Sequence, residues 1–171
     1  LLPKRRYLLF EASEKLGFRN FLKIFSIGLV YEIGLISLEK ALRNIFLLLR
    51  GLTVNELLQL YKKLPLISGA TETFAELKKA TCKTALISSG LPQPFVEDLA
   101  SRLKADYAYG LELKTQGNQL TGEIGGDVIK HNGKALVLEK LLKREGVLPQ
   151  DCALVADDRN NLSVFRLCAL K

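Results

Sequence analysis

The chain has 171 residues, of which 48% are hydrophobic and 25% charged, a composition typical of a folded protein and not of a disordered one. Its formal net charge is +7, but the basic residues are scattered over helix-like segments, which argues against a nucleic-acid interface. The longest apolar stretch, residues 24–38, is too short to span a bilayer, and three cysteines without metal-ligand spacing predict reduced, mostly buried thiols and a cytoplasmic location.

Residues 7–63 are predicted to form only helices. Apolar residues recur at helical spacing around Gly17, across residues 24–36, and again across residues 38–49. Thr53 followed by Glu56 matches a capping box, which predicts that a further helix begins at this point. No strand-like alternation interrupts the block, so residues 7–64 are interpreted as one all-helical unit.

From residue 65 onward, short apolar runs alternate with helical patterns. The predicted strands cover residues 84–87, 107–109 and 153–156, with a hairpin over residues 111–124. Helices are predicted at residues 71–80, 94–103, 134–145 and 162–167. This order predicts an α/β fold over residues 65–171, with a Rossmann-like parallel sheet and helices on both of its faces.

Polar residues follow two of the predicted buried strands. Ligands of parallel sheets bind beyond the carboxyl ends of the strands, where Ser88-Ser89-Gly90 and Asp157-Asp158 are both expected. A carboxylate such as Asp157 is a suitable ligand for Mg²⁺, although Asp158 or Asn160 would equally suit a helix-capping turn. Ser88-Ser89-Gly90 precedes a helix whose amino end can bind phosphate, or it is a plain strand-to-helix turn.

Lys134 follows Asn132-Gly133 at the start of a predicted helix. A cation is disfavoured at the positive end of the helix dipole, so an anion beside Lys134 is expected, and Gly133 would allow a close backbone approach. An ordinary exposed lysine remains an alternative, and Ala135 stands where a P-loop requires Ser or Thr. His131 has no evident carboxylate partner and no G-x-S-x-G motif is present, which argues against a serine hydrolase.

Taken together, these segments resemble the phosphoserine-phosphatase-like branch of the haloacid dehalogenase-like hydrolase superfamily. The matching segments are Leu86-Ile87-Ser88-Ser89-Gly90 (second motif), Leu120-Thr121-Gly122-Glu123 (hairpin), Asn132-Gly133-Lys134 (third motif) and residues 155–161 (fourth motif, usually G-D-G-x-N-D). The resemblance implies an Mg²⁺-dependent hydrolase that acts on a small phosphorylated molecule through an aspartyl-phosphate. It assigns catalysis to Ser88 and Lys134, phosphate binding to Ser88, Ser89, Gly90, Lys134 and Asn160, and metal binding to Asp157. The helical unit, residues 7–64, would be the family's cap.

The chain departs from the family pattern in its motifs. Ala156 and Asp158 replace glycines, and Asn161 replaces the last aspartate, which removes a negative charge near the expected metal. The D-x-D-x-T motif that contains the nucleophile is not found in residues 1–171, so the resemblance implies that it precedes Leu1.

The cap residues that would select the substrate also differ. Leu38 and Ile45 stand where phosphoserine phosphatases have the phenylalanine and arginine that contact the serine moiety. A buried isoleucine cannot pair with a carboxylate, which argues against phosphoserine as the substrate unless Arg43 or Arg50 substitutes.

Two other functions fit parts of the sequence. A phosphate-binding or regulatory protein with this fold but without catalysis would account for the altered fourth motif and the missing first motif. A nucleotide-binding oxidoreductase fits less well, because no G-x-G-x-x-G follows a predicted strand. The sequence leaves the oligomeric state open.

Overall fold

A computed structural model of the chain describes residues 6–62, 65–156 and 161–168. Its first part is helical, with α1 (Arg6–Glu32), α2 (Leu38–Leu47) and α3 (Val54–Lys62). The second part alternates helices and strands: α4 (Ala70–Lys79), β1 (Ala85–Pro92), α5 (Gln93–Leu103), β2 (Tyr107–Gln116), β3 (Gln119–Gly125), α6 (Gly133–Glu145) and α7 (Leu162–Phe165). Short 3₁₀ turns lie at Asp127–Ile129 and Pro149–Asp151.

The local helix signals in the first part are confirmed. Gly17 has the non-helical angles φ 74° and ψ 153°, so the range given for α1 contains two helical segments that meet at this glycine, and the predicted break is confirmed. The capping box before α3 is also present. The Thr53 amide donates to Oε2 of Glu56 at 2.8 Å, and the Glu56 amide donates to Oγ1 of Thr53 at 3.2 Å. These two bonds satisfy amides that no helical carbonyl can reach.

The described strands form a sheet in the order β1-β2-β3. β1 and β2 are parallel and are joined through α5, whereas β2 and β3 form an antiparallel hairpin. The predicted α/β class, with a parallel strand pair and helices packed against the sheet, is therefore confirmed. The third strand makes this sheet mixed, because a hairpin turn can only return the chain in the antiparallel direction.

Three details of the strand and cysteine predictions are wrong. Residues 154–156 adopt no regular structure, and the side chain of Val155 is 99% exposed instead of buried. β1 is not buried on both faces, since Ala85 is exposed while Leu86 is buried. Of the three cysteines only Cys168 is buried. In each case, an apolar residue or run does not by itself determine which neighbours cover it.

One hydrophobic cluster joins the helical part to the sheet. Phe46 of α2 and Leu57 of α3 belong to the same cluster as Phe95 of α5 and Leu111 of β2. Phe95 and Leu111 are fully buried. The helical part therefore shares its core with the α/β part, which favours a fixed position against the sheet.

The β2–β3 hairpin is the strand element that contacts the helical part most closely. The Gly51 amide donates to the Leu120 carbonyl at 2.9 Å, and the Leu120 amide donates to the Leu52 carbonyl at 2.8 Å. A Cβ at Gly122 would lie 3.0 Å from Cα of Leu47, and its φ is 85°. Both the close approach and the backbone angle therefore require glycine at this position of the hairpin.

None of the helices in the described ranges combines the length and the apolar character that a membrane crossing needs.

Candidate active site

The predicted phosphate-binding segment lies inside β1, not after its end as the sequence suggested. β1 pairs with β2 at Ile87↔Tyr109 and next at Pro92↔Leu111. The four residues 88–91 thus face the single residue Gly110, and the extra length forms a bulge. In this bulge Ser88 is half-buried, Ser89 is buried and Gly90 is exposed.

Gln93, at the start of α5, connects the bulge to β2. Its Nε2 donates to the Ala108 carbonyl at 3.1 Å, and its Oε1 accepts from the Gly110 amide at 2.5 Å. The side-chain amide therefore replaces ladder bonds that the bulge removes. A Cβ at position 110 would lie 2.7 Å from the Gln93 backbone, so glycine is needed for this contact. Gln93 belongs to no motif of the sequence, and its place three residues after Gly90, at the start of the next helix, is the available signal.

Lys134 is the second residue of α6 and is half-buried. Its Nζ donates to Oδ1 of Asn161 at 2.8 Å, across 27 positions of the sequence. Asn161 is 7% exposed, and its side chain does not cap α7, because the amide oxygen accepts from Lys134. This hydrogen bond joins the segments that resemble the third and fourth motifs, and the sequence predicted no partner for Asn161.

The amino end of α6 contacts the turn that precedes it. A Cβ at Gly133 would lie 1.9 Å from the carbonyl oxygen of Asp127, and the Gly133 amide donates to the Lys130 carbonyl at 2.9 Å. The close approach that the sequence predicted at Gly133 is therefore to the chain's own backbone. This contact therefore fixes the position of the Lys134 backbone, from which the lysine side chain extends.

Ion pairs hold the same turn against α6. The carboxylate of Asp127 lies 2.7 Å from Nζ of Lys130 and 2.6 Å from Nζ of Lys140. Hydrogen bonds from Lys130 and then Lys140 lower the pKa of Asp127 from 3.8 to about 2. Because α6 contributes Lys140, the ionised Asp127 supports the contact at Gly133.

A second carboxylate joins the far end of α6 to the segment before β1. Oε2 of Glu145 accepts from Nζ of Lys83 at 2.6 Å. Hydrogen bonds from Lys83, Tyr107 and Arg144 lower the pKa of Glu145 from 4.5 to about 2. The guanidinium of Arg144 also lies 5.1 Å from the centre of the Tyr107 ring. Ionised carboxylates thus hold α6 at Lys140, in the middle of the helix, and at its carboxyl end.

A second hydrophobic cluster brings the candidate site's elements together. It contains Ala135, Leu138 and Leu142 of α6 with Val164 and Cys168, and Ile87 of β1 packs against it. Ile87 precedes Ser88, and Ala135 follows Lys134, so the elements that hold these two residues meet at this cluster. His131 is exposed, as expected of a loop residue without a catalytic role.

Two of the predicted site residues fall in a part of the chain that the structure does not describe. Asp157 and Asn160 lie outside the described residues, so their predicted metal and phosphate contacts stay predictions. Within the described ranges, no three His, Cys, Asp or Glu side chains are grouped so that they would hold a metal ion.

Comparison with known proteins gives a consistent result. A family model described as haloacid dehalogenase-like hydrolase matches residues 3–166. The phosphoserine phosphatase of Archaeoglobus fulgidus is 36% identical over 128 residues, which are 75% of this chain and 37% of that protein. The phosphoserine phosphatase of Methanocaldococcus jannaschii is 33% identical over 138 residues, or 81% of this chain and 65% of that protein. The chain thus spans between about a third and two thirds of these curated relatives.

Solved structures show the same similarity. A substrate-bound phosphoserine phosphatase complex matches with a TM-score of 0.83 at 29% identity, over 95% of this chain and 76% of that one. A phospho-aspartyl intermediate analogue of phosphoserine phosphatase matches with a TM-score of 0.82, also at 29% identity, over 95% and 77% of the two chains.

Proposed function

The chain belongs to the haloacid dehalogenase-like hydrolase family, and from this premise we propose that the protein hydrolyses a small phosphomonoester. The main support is the 2.8 Å hydrogen bond between Lys134 and Asn161, because it joins two motif-like segments whose elements share a hydrophobic cluster with Ile87 of β1. The family membership and the named relatives do not favour the alternative of a purely regulatory protein.

In this proposal, Lys134 and Ser88 are the catalytic residues of the described part of the chain. The ammonium group of Lys134 adds to the positive amino end of α6, so an anion is favoured at this position. Ser88, Ser89, Gly90 and Asn160 bind the other phosphoryl oxygens. A charge held in a closed site of this kind stabilises the transition state by several kcal/mol, or about 10²–10³ in rate.

The inferred cofactor is Mg²⁺, held in part by Asp157. The donors fit, because Mg²⁺ prefers one or two carboxylates together with water and substrate phosphate, and Asp157 and Asp158 precede the buried Asn161 in sequence. When bound, the ion would neutralise phosphoryl oxygens. Asn161 is neutral and its amide oxygen already accepts from Lys134, so we expect weaker magnesium binding than with aspartate at this position.

We further infer an aspartyl-phosphate intermediate, whose nucleophile a D-x-D motif outside residues 1–171 would supply. An aspartate oxygen attacks phosphorus and the alcohol leaves, after which water cleaves the acyl phosphate. Residues 7–64 would act as the cap and residues 65–171 as the core, in a cytoplasmic enzyme.

Residues of the helical part bear on which substrate the protein accepts. Leu38 and Ile45 pack against the hydrophobic cluster that joins the helical part to the sheet. The guanidinium of Arg43 donates to Glu39 at 2.8 Å and to the Ile124 carbonyl at 3.0 Å, so it already has two partners. However, relatives named phosphoserine phosphatase do not support the prediction that phosphoserine is excluded. We therefore keep phosphoserine among the candidate substrates.

Turnover of a panel of phosphomonoesters by the complete protein tests the proposal. The panel includes p-nitrophenyl phosphate and phosphoserine, each with and without Mg²⁺. Lys134→Ala should lower turnover by about 10²–10³-fold, whereas Lys143→Ala, at an exposed position of the same helix, should leave it unchanged. Equal turnover of the Lys134 variant and the wild type would remove Lys134 from the mechanism. A wild type that binds phosphate but hydrolyses no ester would favour the regulatory alternative.

A further inference from the structure

Two cysteines lie beside each other at the edge of the second hydrophobic cluster. The Cys168 thiol donates to Sγ of Cys152 at 3.3 Å. Cys168 is 4% exposed and Cys152 is half-buried. Cys82, the third cysteine, is exposed and lies between α4 and β1. We propose that Cys152 and Cys168 are a redox modification site, at which they form a reversible disulfide that lowers phosphatase turnover.

The positions of the two residues allow the sulfur atoms to move together. A disulfide has a sulfur–sulfur distance of about 2.05 Å, so the two atoms need to approach by little more than an ångström. Cys152 has extended backbone angles (φ −102°, ψ 132°) after the 3₁₀ turn Pro149–Asp151, and Cys168 follows the end of α7. Neither residue lies inside a helix or strand, so the adjustment breaks no ladder of backbone hydrogen bonds.

The chemistry requires a two-electron oxidant, and a peroxide is sufficient. Cys152 is the more accessible thiol, so its thiolate attacks the peroxide, forms a sulfenic acid and expels hydroxide, which takes up the proton that the thiol lost and becomes water. The Cys168 thiol then attacks the Cys152 sulfur, which releases a second water and forms the disulfide. A dithiol reductant reverses the reaction by exchange and becomes a cyclic disulfide itself.

The disulfide would affect the candidate active site through the segment of the chain between the two cysteines. Residues 153–167 lie between the two cysteines and include Asp157, Asn160 and Asn161. Asn161 is the hydrogen-bond partner of Lys134, and Val164 packs in the same cluster as Cys168. A displacement of about 1 Å at a catalytic group can lower turnover about 10²-fold. This effect on turnover rests on the proposed phosphatase function, whereas formation of the disulfide does not.

The test uses the complete protein with Cys82→Ser, which removes the exposed thiol. The protein is treated with hydrogen peroxide, quenched, digested without reductant and analysed by mass spectrometry. We expect one cross-linked peptide pair that contains Cys152 and Cys168, with the loss of two hydrogen atoms, and a fall in turnover of tenfold or more that dithiothreitol reverses. Variants that also contain Cys152→Ala or Cys168→Ala should form no cross-link and should keep their turnover after the same mild treatment.

The outcomes separate the two proposals. Absence of the cross-linked peptide in a folded protein with intact thiols, or its formation without a change in turnover, would overturn the inference. If the reduced protein hydrolyses no phosphomonoester, the phosphatase proposal fails, and the peptide analysis still decides whether this disulfide forms. Because Cys152 is only half-buried, Cys152→Ala is the variant that should disturb folding less, as circular dichroism would verify.

Discussion

Replacing Gly133 with alanine tests how tightly the amino end of α6 is held. The new Cβ would lie 1.9 Å from the Asp127 carbonyl oxygen, whereas real Cβ atoms essentially never come within 3.0 Å of another heavy atom of this kind. The backbone must therefore retreat by more than an ångström. Overpacking of this kind costs about 1–3 kcal/mol, which lowers the melting temperature of a chain of this size by about 2–12 °C.

The same displacement should reduce turnover, because Lys134 is the next residue and its Nζ must stay 2.8 Å from Asn161. We expect kcat/KM for p-nitrophenyl phosphate to fall by about 10²-fold. Gly28→Ala is the matched control: apart from its chain neighbours and the backbone of its own helix, no heavy atom lies within 4 Å of its Cβ position, and alanine is favoured over glycine inside a helix. The melting temperatures would be measured by circular dichroism, and equal values for Gly133→Ala and the wild type would refute the reasoning.

Three further substitutions test separate contacts. Asn161→Asp restores a carboxylate near the expected metal, so the Mg²⁺ concentration for half-maximal turnover should fall by about tenfold; an unchanged magnesium titration would contradict this. Gln93→Leu removes the side-chain acceptor of the Gly110 amide, and an unpaired buried donor costs about 1–3 kcal/mol. Its urea midpoint should fall, while that of Gln59→Leu, at an exposed position, should not. The pKa of Asp127 is lowered from 3.8 to about 2, so its carboxylate stabilises the fold above pH 3.8 and this contribution is lost as pH falls through about 2. Wild-type thermal stability should therefore fall more steeply over that range than the stability of Asp127→Asn, and parallel curves would disprove the assignment.

Features that depend on neighbouring residues in the chain were predictable from the sequence. The capping box at Thr53 and Glu56 involves residues three positions apart, so its two hydrogen bonds follow from the local pattern. The β2–β3 hairpin and the start of α6 at Gly133 likewise follow from turn residues. These signals were sufficient for the fold class, because the order of helices and strands restricts how the layers can pack.

Features that depend on distant parts of the chain were not predictable. The bulge at residues 88–91 results from the register between β1 and β2, which neither strand specifies alone. Gln93 fills the gap with a side chain that belongs to no motif. The apolar run at residues 153–156 was assigned to a buried strand, yet the exposure of Val155 depends on what lies beside it.

The same distinction holds within the candidate site. The helix dipole predicts an anion beside Lys134, whereas the acceptor of its hydrogen bond in the structure is the neutral amide oxygen of Asn161, 27 positions away. The sequence gives residue types and spacing, whereas the distance between two side chains depends on how α6 and α7 pack on the shared cluster.

Phosphate binding tests the central claim most directly, since it needs neither a nucleophile nor a known substrate. Isothermal titration calorimetry of the complete protein with inorganic phosphate would compare the phosphate affinity of the wild type with that of Ser88→Ala, Lys134→Ala and the double variant. If both side chains hold one phosphate, each single variant should weaken binding about tenfold or more, and the double variant should deviate from additivity by at least about 0.5 kcal/mol. Undiminished affinity in both single variants would contradict the account.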